Sequence, residues 1–267
     1  MMCRKLALAA TALVVPSAVL VLSASPALAW GVGKPAAPAA SKADPAPAKA
    51  SAQDRAAADR MDPLGRAAFW SSQVNADPKD AEAGVKLAAA LRALGRYQEA
   101  YGAAEAVLVL QPNNIDALLE TARTAISDSQ GFFAVAPARK VMALAPKDWR
   151  GPSLLAVGLE QAGRTAEAQA AHAQAMAIAP ANPTVLSNAA LFYAAQGDRA
   201  RAETLLRKAA AAPGAGLQVR QNLALILGLQ GKLAEAEALQ RQDLPPQMVA
   251  NNIAYLKAIA APAPVVN

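Results

Sequence analysis

Between Pro146 and Pro180 the chain reads PKDWRGPSLLAVGLEQAGRTAEAQAAHAQAMAIAP, and the reading of this stretch decides the fold. A proline stands at either end, 34 residues apart, and Gly163 lies at its middle. The same spacing recurs on both sides. Prolines fall at Pro78, Pro112, Pro146 and Pro180, each 34 residues after the last, with Pro213 one residue early. Gly95, Gly163, Gly197 and Gly231 keep the same 34-residue grid with one position skipped. Alanines fill two further columns: Ala88, Ala122, Ala156, Ala190 and Ala224, then Ala100, Ala134, Ala168, Ala202 and Ala236. In an alanine-rich chain those columns alone would mean little. Proline and glycine columns in register with them exclude chance.

Each column has a physical reason. Small alanines let two helices cross at close range, and alanine is also the best helix former. Glycine takes the left-handed conformation that closes a helix. Proline cannot continue a helix, so it sets where the second helix of each unit stops. The period and the residue types resemble the tetratricopeptide repeat (TPR), a helix–turn–helix unit. Leu87-Ala88, Leu155-Ala156 and Leu223-Ala224 stand where that family has a large residue followed by a small one. Leu91, Leu159, Tyr193 and Leu227 fill its later large position. The resemblance implies an all-α fold, a right-handed superhelix of five helix–turn–helix repeats at about 81–114, 115–148, 149–182, 183–216 and 217–242. One repeat cannot bury its own apolar face, whereas a stack can.

The pattern weakens in places. Ser129 occupies the glycine position of the second repeat, with Gly131, Phe132 and Phe133 close behind and Pro137 following. An irregular turn or a re-aimed second helix is expected there. Pro63 to Ala76 reads as an N-terminal half-repeat helix with Phe69 and Trp70 on its buried face, and 246–260 as a C-terminal capping helix. Together these place the repeat domain at 62–260.

Outside that domain the sequence changes character. Arg4 and Lys5, an apolar run from Leu6 to Val21 and the Ala27-Leu28-Ala29 triplet have the form of a secretory signal peptide, 1–29. The rival reading is a one-helix membrane anchor, since the apolar stretch is about long enough to span. The Ser23-to-Pro26 break and the alanine triplet favour cleavage, which leaves a chain starting at Trp30 with no second stretch long enough to span a membrane. Residues 30–61 carry Pro35, Pro38, Pro45 and Pro47 among alanine and polar residues and read as a Pro/Ala-rich disordered linker. Residues 261–267 read as a flexible tail. The expected localisation is the periplasm, either peripheral to the outer membrane through a partner or free.

Composition excludes several functions. The net charge is +6, of which the leader holds two, and the remaining basic residues are interleaved with acids, as in Arg199, Arg201, Glu203, Arg207 and Lys208. Nucleic-acid binding calls for a basic stripe with stacking aromatics, and aromatic residues make up only 4 % of the chain. The one cysteine, Cys3, lies in the leader, so neither a disulfide framework nor a cysteine metal site is open to the mature chain. His172 is the one histidine and falls at a packing position of the third repeat. Catalytic, metal-ligating and cofactor-binding residues are therefore expected to be none, and so is a small-molecule substrate.

The expected site is a groove for a protein partner, lined by the first helix of each repeat. Its positions are Val85, Ala89 and Arg92; Leu119, Arg123 and Ile126; Ser153, Val157 and Glu160; Ser187, Asn188 and Leu191; Gln221, Asn222 and Leu225. Asn188 and Asn222 are equivalent, and an amide can bond both groups of an extended peptide backbone. The alternative is that both asparagines bond only within their own repeats. Arg92 and Arg123 would give the N-terminal half of the groove a positive character.

From Arg220 the chain continues RQNLALILGLQGKLAEAEALQRQDLPPQMVANNIAYLKAI. The segments NLALILGLQG, DLPP and NNIAYL resemble the C-terminus of TadD-like TPR proteins of tight-adherence (Flp) pilus systems. That resemblance implies a periplasmic scaffold that assists assembly of the pilus/secretion apparatus, with an envelope secretin or pilus-assembly component as partner. Members of that family are often lipoproteins, but Cys3 precedes the apolar run and is misplaced for a lipid. The alternative is a general cell-envelope TPR adaptor, in polysaccharide export or outer-membrane assembly, not tied to pili.

Overall fold

The computed structural model describes residues 49–260, and the signal peptide, most of the linker and the tail lie outside them. Thirteen α-helices run through this part: α1 (Ala52–Ala58), α2 (Pro63–Ala76), α3 (Ala81–Ala93), α4 (Tyr97–Leu110), α5 (Ile115–Ser127), α6 (Val135–Leu144), α7 (Arg150–Gln161), α8 (Thr165–Ile178), α9 (Pro183–Ala195), α10 (Arg199–Ala210), α11 (Leu217–Leu229), α12 (Leu233–Gln240) and α13 (Pro246–Ala260). A 3₁₀ turn, Gly131–Ala134, leads into α6, and there is no strand among the described residues. The all-helical stack of paired helices expected from the repeat is the one observed.

Local chemistry sets both ends of each helix. Asp80, Asn114 and Asn182 cap α3, α5 and α9 by accepting hydrogen bonds from backbone N–H groups of the first turn, and Asp148 accepts from Arg150 N at the same register. Each such cap is worth about 1 kcal/mol. The second helices α2, α4, α6 and α8 stop two residues before Pro78, Pro112, Pro146 and Pro180. The residue in front of each proline has left the helical region, as proline's ring demands of its neighbour.

Between the two helices of every repeat one residue turns left-handed: Gly95, Ser129, Gly163, Gly197 and Gly231, with φ of 74°, 58°, 73°, 89° and 79°. The residue after it donates its N–H back to the helix, from Arg96 to Leu91, Gln130 to Ala125, Arg164 to Leu159, Asp198 to Tyr193 and Lys232 to Leu227. This is a Schellman closure repeated five times. Ser129 therefore keeps the common turn, and the irregularity falls one step later. The second helix of repeat two starts as a 3₁₀ turn because Gly131 lies against α7. A Cβ on Gly131 would come within 2.5 Å of Gln161 Cβ and 2.7 Å of the Gly158 carbonyl oxygen.

All ten alanines of the two columns have no exposed surface. Large apolar side chains fill the space around them, among them Leu119, Leu159, Phe192, Leu206 and Ile226. Backbones of successive first helices (α3, α5, α7, α9, α11) approach one another and those of successive second helices do not, so the first helices form the inner side of the stack.

One boundary differs from expectation. Residues 52–58, assigned by composition to the disordered linker 30–61, form α1. Ser51 and Asp54 make a reciprocal capping box, Ala58 is buried beside Trp70 and Ala83, and Arg55 pairs with Asp80 at 2.5 Å and Glu82 at 2.7 Å. The hydrogen bond from Arg55 holds the Asp80 carboxyl below its usual range. Apolar burial and a buried-side ion pair supply what proline-rich composition alone does not.

The shared left-handed turn gives a direct test. A non-glycine residue in this conformation costs about 1 kcal/mol, so Ser129→Gly should raise the unfolding free energy from urea titrations by that much, with no change in helical circular dichroism.

Candidate partner-binding groove

The inner surface divides into two halves of different chemistry. At the N-terminal end a cleft of about 520 Å³ opens between α3 and α5, floored by Val85 and Ala89 and walled by Glu82, Lys86, Asp116, Glu120 and Arg123. Its cations are matched by acids. Glu120 is buried and receives Arg92 from α3 and, at 3.3 Å, Arg123 from its own helix. Arg150 straddles Asp148 at 2.7 Å and Asp116 at 3.3 Å, and Lys86 reaches Asp59 at 2.5 Å. The hydrogen bond from Arg150, with its charge, keeps Asp148 below the ordinary carboxylate range despite partial burial. Glu120 offsets one of the two charges of Arg92 and Arg123, and Glu82 and Asp116 on the cleft walls offset the other and Lys86, so the positive excess expected there is absent.

In the C-terminal half the polar residues do something the sequence reading did not anticipate. Asn188 donates from Nδ2 to Ser153 Oγ at 3.3 Å, and Asn222 donates to Ser187 Oγ at 2.9 Å. Each bond spans one repeat plus one residue and ties a first helix to its predecessor, α7 to α9 and α9 to α11. Ser153, Ser187 and Asn222 are buried, and Asn222 also accepts from Gln218 Nε2 at 3.1 Å. This corrects the assignment of Ser187 and Asn222 to a peptide-contacting surface: their hydrogen-bonding capacity is used between repeats. Leu119 is likewise buried, on the core side of α5.

The next rung of this ladder pairs Gln221 with position 256, which is Leu256. Leucine cannot accept a hydrogen bond, and Gln221 Nε2 is buried without a partner. It lines a pocket of about 150 Å³ with Leu225, Gln240, Asn252, Tyr255 and Leu256. Beside it runs an exposed apolar row: Leu191 at 38 %, Leu225 at 39 % and Tyr255 at 60 % exposure. Tyr255, on the capping helix, is absent from the sequence-derived groove. Its signal was available, since it lies 34 residues beyond Gln221 on the repeat grid.

His172 is buried in α8, its ring centroid 5.0 Å from that of Phe192, and Nε2 lies 2.5 Å from Glu160 Oε1. Ala104, Ala138, His172, Leu206 and Gln240 occupy equivalent positions and are all buried, so the histidine sits in a packing column. Among the described residues no group of three or more His, Cys, Asp or Glu side chains is placed to hold a metal ion, and no helix is long and apolar enough to cross a membrane.

Comparison with known proteins agrees with this geometry. The tetratricopeptide-repeat family profile matches residues 184–212 and 217–244, the fourth and fifth repeats. The crystal structure of TTC0263, a thermophilic TPR protein of Thermus thermophilus, is similar with a TM-score of 0.59 at 23 % identity, over 67 % of this chain and 99 % of its own. A tetratricopeptide-repeat protein from Parabacteroides merdae is similar with a TM-score of 0.61 at 14 % identity, over 77 % and 80 %. At these identities the likeness concerns the fold. No curated protein sequence matches the chain.

The arginine–glutamate cluster can be tested by unequal costs. Removing one partner of a buried ion pair costs about 3 kcal/mol when it strands a buried charge. Arg92→Ala leaves buried Glu120 with Arg123 alone, at 3.3 Å, and should destabilise by part of that amount. Glu120→Gln should cost less, because both arginines are partly exposed and can be hydrated. Chemical denaturation of the two variants measures the order.

Proposed function

We propose that this chain is a non-catalytic protein-interaction scaffold, exported to the periplasm, that assists assembly of a tight-adherence pilus or its outer-membrane secretin. The observation that carries the scaffold reading is the inner apolar row Leu191, Leu225 and Tyr255 beside the unpartnered amide of Gln221. The inner-face residues Ser153, Asn188, Ser187, Asn222, Arg92, Arg123 and Glu120 bond one another, whereas Gln221 Nε2 is left without a partner. A partner segment that covers the leucines removes apolar surface from water and offers Gln221 an acceptor.

The pilus reading draws on the C-terminal sequence, where NLALILGLQG, DLPP and NNIAYL resemble TadD-like proteins, and the export reading on the form of residues 1–29.

A photo-crosslinking amino acid at position 225, used in cells, identifies what occupies the groove. The expected product is an adduct with a secretin or pilus component. Leu191→Asp combined with Leu225→Asp should weaken that partner's binding about tenfold or more. Melting should hardly change, because both side chains are exposed. Deletion of the gene should abolish surface piliation. Unchanged piliation and adherence after deletion would defeat the pilus reading, and a crosslink to a polysaccharide-export or outer-membrane-assembly component would replace it.

A further inference from the structure

The five repeats can be compared with one another at the first turn of the second helix. Successive repeats place there Gln98-Glu99, Phe132-Phe133, Ala166-Glu167, Ala200-Arg201 and Ala234-Glu235. Four repeats thus use a small or polar residue followed by a charged one, and the second uses two phenylalanines. Glu99 and Glu167 pair with Arg96 and Arg164, and an acid in this turn also favours the helix dipole. Repeat two has no such pair, and like α4, α8 and α12 its second helix has no side-chain cap. Its two rings stand edge to face with centroids 5.6 Å apart, 67 % and 59 % exposed. Helix formation does not call for them.

Phe133 forms one wall of a crevice of about 430 Å³ on the side of the stack away from the inner groove. Gln98, Tyr101, Glu105 and Leu108 of α4, Thr121 of α5 and Gln130 complete it. The Tyr101 hydroxyl is buried and has no hydrogen-bond partner. Burial, and after it the Asp128 carboxylate, raise the Tyr101 phenol above its ordinary range. Glu105 is exposed and has no salt bridge among the described residues, and no cation lines the crevice. The aromatic pair is held in place from behind, because Gly131 lies backbone to backbone against Gly158 of α7.

We propose that this crevice is a second docking surface, for a segment of another protein that inserts an apolar side chain against Phe133 and Leu108 and sets a lysine or arginine beside it. The apolar wall selects the anchor side chain. Glu105 on the crevice wall selects the cation, and with the Asp128 carboxylate near Tyr101 it repels anionic lipid and nucleic acid. The Tyr101 hydroxyl is left to bond the backbone of the inserted segment. Because the surface lies away from Leu191 and Leu225, it can be occupied together with the inner groove, so the chain can bridge two partners.

The test is a random peptide library displayed on phage, selected on the full chain. Phe132→Ala/Phe133→Glu gives repeat two the Ala-Glu pair of the third repeat, and it should fold at least as stably as the parent. Peptides enriched on the parent should carry an aromatic or large aliphatic residue next to lysine or arginine. Synthetic versions, followed by fluorescence anisotropy, should bind the double variant at least tenfold more weakly and the Leu191→Asp/Leu225→Asp variant unchanged. Glu105→Lys should remove the preference for the cation. Peptides that lack the cation, or that bind the double variant equally, overturn the proposal. So does a parent chain that sediments as a dimer while the double variant is a monomer, since the occupant is then a second copy. Competition by a synthetic peptide of residues 30–48 assigns the crevice to the chain's own N-terminal segment, and binding to anionic vesicles through the phenylalanines assigns it to a membrane; either result also overturns it.

Discussion

Everything in this molecule depends on how closely the two helices of a repeat can cross. The ten column alanines have no exposed surface, and each removes the side-chain bulk that would hold the helices apart. A left-handed residue five times over sets the angle at which the chain returns, and its backward hydrogen bond fixes that turn. With crossing distance and turn both prescribed, the first helices fall on one side of the stack. The inner surface follows from alanine and glycine rather than from any residue that touches a ligand.

Polar chemistry on that inner surface serves mostly to join one repeat to the next. Ser153 with Asn188 and Ser187 with Asn222 form rungs between successive first helices, and Glu120 with Arg92 does the same in the N-terminal half. A solenoid gains stability from such nearest-neighbour terms. The ladder ends where Leu256 replaces a polar partner and leaves Gln221 unmatched. The unmatched amide and the exposed leucine and tyrosine appear at the point where the ladder between first helices stops. The Phe132–Phe133 crevice marks a second departure from the repeat, on the opposite side.

The fold was legible because its determinants recur at fixed spacing: Pro78 to Pro180, Gly95 to Gly231 and the alanine columns all follow from backbone requirements that only a few residue types meet. The site was less legible for a physical reason. Asn188 and Asn222 have the same spacing whether they face a ligand or a neighbouring repeat, and only the serines one residue off the grid point to the second. Reading each repeat as a closed unit hid that relation. The positive groove inferred from Arg92 and Arg123 failed similarly, since Glu120 lies on the next first helix in sequence but between the two arginines in space, with Glu82 and Asp116 on the same cleft. Helix α1 was obscured by proline-rich surroundings, although Ser51 and Asp54 spell a capping box.

Whether the inner polar residues build the groove or receive a ligand is decided by energetic coupling across repeats. A double-mutant cycle on Ser187→Ala and Asn222→Ala, read by urea denaturation of the ligand-free chain, measures it most directly. A buried hydrogen bond between the two side chains predicts a coupling of about 1 kcal/mol, with the single variants each destabilised. Strictly additive single effects, or a stable double variant that has lost only partner binding, would contradict the account.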